Sequence, residues 1–171
     1  MSQLVALSVS IGVLGGIATI LYLKVGLLIW AGFIAWACFF HAGGDANAFK
    51  TTVVCNLFGA VCAWVAALLI LSPMTAALST PVWAGIIVGL TVFVLCLGAH
   101  IKAFSSIPAS VYGYASVFAF LLGNMSENMT KEKLMSGSMA NALILVFVSM
   151  LIGAIFGMVS GKVGAALTKK A

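Results

Sequence analysis

Phe39-Phe40-His41-Ala42-Gly43-Gly44-Asp45-Ala46-Asn47-Ala48-Phe49-Lys50 is the stretch on which the fold turns. It holds one of two histidines, the sole aspartate, a glycine pair and a lysine, and long apolar runs lie on both sides of it. Paired glycines tolerate left-handed backbone and weaken a helix, so they end the run before them. Asp45 or Asn47 can then cap the run that follows, where a carboxylate also suits the positive end of a helix. The pattern is helix, break, helix.

The medium of those helices follows from composition. The 171 residues are 64% hydrophobic and 6% charged, with a mean hydropathy of +1.26. Lipid accommodates such a surface in apolar runs of about 20 residues. A β-barrel would show alternating polarity. The runs here are unbroken, so they read as helices, whose backbone groups are satisfied internally.

The expected fold is therefore all-α and polytopic, one integral membrane domain over residues 1–171 with six transmembrane helices. The spans are placed at about 4–22, 27–42, 48–71 and 82–101, then a fifth opened by 105–108 and running to about 122, and a sixth at 139–160. Ser72-Pro73 stops the third, Pro81 suits the first turn of the fourth, and 126–133 reads as the most polar loop. The N-terminal run lacks a basic n-region and is expected to be a retained span rather than a signal peptide. Gly12, Gly15 and Gly16, Gly85 and Gly89, and Gly153 and Gly157 give close-packing faces to the first, fourth and sixth spans, more than six helices need. A homo-oligomer is expected on that ground.

The net charge of +5 comes from lysines near helix ends. It reads as anchoring and orientation, with membrane lipid as partner and no nucleic acid. Counting lysines places both termini in the cytoplasm. The four cysteines (Cys38, Cys55, Cys62, Cys96) fall inside spans without a CxxC pair, so packing is expected and no metal site or cofactor.

Residues 24–40 align with 102–118 at an offset of 78. Lys24 meets Lys102, Trp36 meets Tyr114 and Phe40 meets Phe118. The first and fourth spans match after a shift, Gly12 with Gly85 and Gly16 with Gly89, while the third and sixth align poorly. Halves of about 1–72 and 80–162, followed by a basic tail at 163–171, each hold three spans. An odd number makes this a 3+3 inverted repeat, an architecture common to transporters and channels. Coincidence among apolar helices is the alternative.

The candidate solute pathway comprises His41, Asp45, Asn56, Asn141, Trp36, Phe40, Tyr114 and Phe118, with Gly43 and Gly44 as the helix break. His41 and Asp45 are acid and base four residues apart, expected to pair near the cytoplasmic mouth and to make solute flux depend on pH. The alternative for both is an interfacial cap. Asn56 and Asn141 are carboxamides inside spans and must find partners, either another helix or a solute. The four aromatics would form two pseudo-symmetric pairs able to sieve small solutes, or ordinary packing. His100 has no acidic neighbour. No nucleophile–base set, phosphate loop or metal spacing appears, so an enzyme is not expected. No glutamate lies inside a span, which argues against ion-driven pumping.

By its size, by the Phe-Phe-His-Ala-Gly-Gly-Asp run at 39–45 and by Asn-Leu-Phe-Gly-Ala at 56–60, the chain resembles a family of small six-span bacterial inner-membrane proteins of unknown function. That resemblance implies a bacterial inner membrane and names no substrate. In size and span count the chain is also similar to bacterial urea and amide channels, without their motifs. The expectation is a passive channel or facilitator for a small neutral solute such as urea, ammonia or a short amide. The alternative is a non-transporting accessory or sensor protein acting through partners.

Overall fold

The computed structural model describes residues 1–72 and 80–168. The described residues form helices: α1 (Gln3–Val25), α2 (Ile29–His41), α3 (Ala46–Ile70), α4 (Thr80–Leu97), α5 (Ile107–Gly123), α6 (Met125–Asn128), α7 (Lys131–Met135) and α8 (Ala142–Leu167). Four are long and apolar enough to cross a membrane: α1, α3, α8, and α4 with its 3-10 extension to His100. The other two, α2 and α5, have 13 and 17 residues. At 1.5 Å per residue α2 is about 20 Å long, short of a hydrocarbon core of about 30 Å.

Two expectations change here. Residues 126–133, read as a loop, are largely taken up by α6 and α7, because Thr130 caps a new helix by accepting from the Lys133 N–H. The sixth helix starts at Ala142 rather than Met139 and runs to Leu167, so the glycines beyond Ser160 did not stop it. The expected stop at Pro73 and the lysines at 169 and 170 lie outside the described residues.

The chain divides into two compact units, Met1–Val53 with Val148–Ala171, and Val54–Phe147. In the first unit α8 packs against α1 and α2. Ser10 Oγ donates to the Ser160 carbonyl at 2.8 Å, Tyr22 Oη to that of Ser149 at 2.6 Å, and Trp36 Nε1 to Ser160 Oγ at 2.9 Å. These three buried polar groups thereby find partners, as an apolar interior favours, while Thr52 Oγ1 of the same unit is buried without one. The closest approach is Gly153, where a Cβ would meet the carbonyl oxygen and Cα of Gly32.

In the second unit α3 packs against α5. A Cβ at Gly59 would meet the Ser110 carbonyl, and one at Gly113 would meet that of Asn56. Thr91 on α4 and Tyr114 on α5 share a 2.9 Å hydrogen bond, and Phe58 stacks on Phe104 with centroids 4.3 Å apart.

These two packings use matching positions. Gly32 and Ser110, which offer the carbonyls, are 78 residues apart, the offset that relates α2 to α5. Gly153 and Gly59, which receive them, are 94 apart, and at that offset α3 and α8 do align. Val54, Leu57, Gly59, Ala60 and Val65 are identical to Val148, Leu151, Gly153, Ala154 and Val159. The expectation that the third and sixth spans align poorly is corrected accordingly. Both helices are also divided between the units at the same place, after Val53 and after Phe147. At an offset of 73, Ala18 and Tyr22 of α1 match Thr91 and Leu95 of α4, and all four are buried. Each unit thus holds the first two apolar helices of one half of the sequence and most of the third apolar helix of the other.

The glycines expected to bring α1 and α4 against neighbours do not do so. A Cβ at Gly12, Gly16, Gly85 or Gly89 meets nothing within 4 Å, and Gly15 only touches the Phe33 ring. Gly153 and Gly157 of α8 are packed as expected.

Candidate functional site

The break at the end of α2 is built by glycine. Gly43 has φ 120° and Gly44 φ 73°, conformations that carry little cost without a Cβ. Gly44 N–H donates to the Phe39 carbonyl at 3.0 Å and Gly43 N–H to that of Phe40 at 3.1 Å, closing carbonyls that a helix end leaves open. Asp45 then starts α3, its Oδ1 accepting the Ala48 N–H at 2.7 Å. Asp45→Ala is expected to cost about 1 kcal/mol, as for other N-caps, and Asp45→Asn much less. Thermal unfolding checks this; equal losses would show that capping is not what Asp45 contributes.

Against this turn lie two clefts of the first unit. One, of about 420 Å³, is lined by Gln3, Leu7, Phe40, Gly43, Gly44, Gly161, Gly164, Ala165 and Thr168. The other, of about 300 Å³, is lined by Phe39, Gly44, Asp45, Ala46, Met158, Gly161, Lys162 and Ala165. They share Gly44, Gly161 and Ala165. Small residues on the last turns of α8 leave the space; they continue the four-residue spacing of Gly153 and Gly157 through Gly161. That spacing was the available signal, and ending the sixth span at Ser160 hid it. Gln3 and Leu7 of α1 carried none.

The second unit has a cleft at matching positions. Its lining includes Thr80, Phe118, Leu122, Ile70 and Leu71. At the offsets already given these correspond to Leu7, Phe40, Gly44, Gly164 and Ala165. The aromatic is kept. The glycine and alanine walls of the first cleft are branched aliphatics in the second.

The pathway candidates fall as follows. His41 is the last residue of α2, and His41 and Asp45 are both exposed. Phe40 lines the glycine-walled cleft. Trp36 is buried, stacked between Phe33 and Phe156 with centroids 5.8 Å away on each side. The second unit holds the remaining four. Tyr114 and Phe118 are in ring contact, 5.2 Å between centroids. Asn56 is buried within α3, at the close approach to Gly113. Asn141, expected inside a span, instead precedes α8. Its Nδ2 donates to the carbonyls of Leu134 (2.8 Å) and Ser136 (2.9 Å), and its Oδ1 accepts the Leu143 N–H (2.9 Å). Among the described residues no group of three or more His, Cys, Asp or Glu is placed to hold a metal ion.

Residues 8–165 match the family described as Protein of unknown function (DUF1097). The chain belongs to this family. No curated protein and no solved structure matches it. The match reaches into both units but leaves out Gln3, Leu7 and Thr168 of the first cleft, and the family's description assigns no activity.

Proposed function

We propose that this DUF1097 protein is a passive channel or facilitator for a small neutral solute of the urea, ammonia or short-amide type. The reading takes it as a six-span protein of a bacterial inner membrane, with a 3+3 inverted repeat, both termini cytoplasmic, and a homo-oligomeric state. The observation that carries it is the pair of clefts at matching positions, one in each unit, each with a phenylalanine (Phe40, Phe118) on its wall. Internal repeats are a common way to build membrane transport proteins. The matched glycine contacts of α2 with α8 and of α5 with α3 support the repeat. Six spans require the short α2 and α5 to cross as well, with their ends completed by flanking residues. The residues assigned to the pathway are Trp36, Phe40, His41 and Asp45 in the first unit and Asn56, Tyr114, Phe118 and Asn141 in the second, with His41 and Asp45 assigned to the cytoplasmic mouth.

Stopped-flow swelling of proteoliposomes tests this. Urea, acetamide or ammonia should enter faster than into empty vesicles, without an ion gradient, and Phe40→Trp and Phe118→Trp should each slow entry. Rates equal to those of empty vesicles for all three solutes would overturn it. His41→Ala should change the rate of entry; entry unaltered by His41→Ala removes His41 from the mouth. A reporter fused at Ala171 should be active in the cytoplasm only.

A second reading has its own support. His41 and Asp45 are both exposed, accessible to a partner protein, which suits an accessory or sensor role. Flux indistinguishable from empty vesicles, together with specific co-purification of a partner lost in His41→Ala, would favour it.

A further inference from the structure

The walls of the first unit's cleft are mostly main chain. Gly43, Gly44, Gly161 and Gly164 carry no side chain and Ala165 only a methyl group, so what faces the space is peptide. The donors of the glycine turn and of α8 are already used. Gly43 and Gly44 donate to Phe40 and Phe39, and residues 161, 164 and 165 lie in the body of α8, where each N–H bonds back along the helix. Thr168 spends its N–H on Gly164 and Ala165 and its hydroxyl on the Gly164 carbonyl at 2.8 Å.

Carbonyls differ, because each has two lone pairs and one bond leaves one free; among the cleft's residues Gly164 is the exception, its carbonyl accepting both the N–H and the hydroxyl of Thr168. The cleft therefore offers many acceptors and, through the exposed Gln3 carboxamide, a donor on one side only. The adjoining cleft adds one side chain of each sign, Asp45 and Lys162. At the matching place in the second unit, Ile70, Leu71 and Leu122 cover the main chain with aliphatic side chains.

We propose that the glycine-walled cleft is a saturable binding site for a small neutral primary amide, whose N–H groups meet the carbonyl walls while its carbonyl meets Gln3. This deepens the passage reading and rests on it for the solute's size. It adds a site and a selection rule. Guests are chosen by the N–H groups they present, so a polyol or an N-alkylated amide of similar size is rejected.

The test uses the full chain in lipid nanodiscs and follows binding by saturation-transfer NMR, with acetamide, N,N-dimethylacetamide and glycerol as probes. Acetamide should give a saturable signal. The two others should bind at least about tenfold more weakly, the worth of about one net hydrogen bond. Ala165→Leu, which places on this wall the side chain that Leu71 supplies in the other cleft, should abolish the acetamide signal. Ala165 is exposed, so the variant should fold, as a helical circular-dichroism spectrum and an unchanged melting temperature would verify. Leu71→Ala should leave binding intact.

Equal binding of acetamide and its dimethyl analogue, an unsaturable acetamide signal, or binding that survives Ala165→Leu each overturns the site. Acetamide binding without flux leaves the site standing and removes the passage. Flux that continues in Ala165→Leu without saturable binding does the reverse.

Discussion

Gly59→Val should leave almost no folded protein, and Gly59→Ala should cost about 3 kcal/mol or more. Overpacking a core usually costs about 1–3 kcal/mol because neighbouring side chains can rotate or shift away. Here the neighbour is backbone. A Cβ at Gly59 falls on the Ser110 carbonyl and within 2.9 Å of the Tyr114 nitrogen, and no rotamer relieves that. The α3 and α5 helices would have to separate, losing the packing around Ala60 and Ala63, both fully buried. Gly113→Ala and Gly153→Ala should behave likewise, since each meets main chain, of Asn56 and Gly32. Gly85→Ala is the control. Its Cβ meets nothing within 4 Å, so the change should be neutral or stabilise by up to about 1 kcal/mol through helix propensity. Denaturant titration in detergent micelles, read by tryptophan fluorescence, gives both numbers. Similar values for Gly59→Ala and Gly85→Ala would mean that the close approach of α3 to α5 is not what holds this unit.

That contrast also shows where the sequence was legible. The helical character, the break at Gly43-Gly44 and the α2–α5 match were all readable, because each depends on local composition or on a gap-free pattern. Which glycines are packed was not. Gly12, Gly16, Gly85 and Gly89 have the four-residue spacing that signals close packing, yet face open space. Gly32, Gly59 and Gly113 carry the tight contacts without a glycine four residues away. Spacing reports a face that could be approached; which helix approaches it is a tertiary fact. The same holds for α3 and α8. Their correspondence needs an offset of 94 where α2 and α5 need 78 and α1 and α4 need 73, because loop lengths differ between the halves. A search at one offset finds one helix pair. The cleft was half legible: Phe40, Gly43, Gly44 and Asp45 stood out as a polar break, while the end of α8 across from them looked like a tail.

Asn141→Ala should cost about 3 kcal/mol, and its effect should depend on Trp64. Asn141 makes three hydrogen bonds with main chain, donating to Leu134 and Ser136 and accepting from Leu143. It is buried, so truncation strands groups that water does not reach freely, each at about 1–3 kcal/mol. The Leu134 carbonyl has a second donor, Trp64 Nε1 at 2.8 Å. One donor can satisfy that oxygen, so Trp64→Phe alone should cost about 1 kcal/mol, with Asn141 still in place. Removing both leaves a carbonyl of the fully buried Leu134 without a donor. The double variant should therefore lose about 1 kcal/mol more than the sum of the single losses, a coupling that a double-mutant cycle resolves. Strict additivity would show that the two donors do not share the load on Leu134. The expectation also separates the two roles open to Asn141. As a positioning residue for α7 and the start of α8, it should change stability and leave solute selectivity alone. Should Asn141→Ala instead alter the ratio of urea to acetamide flux in vesicles at unchanged stability, its carboxamide faces the solute rather than the backbone.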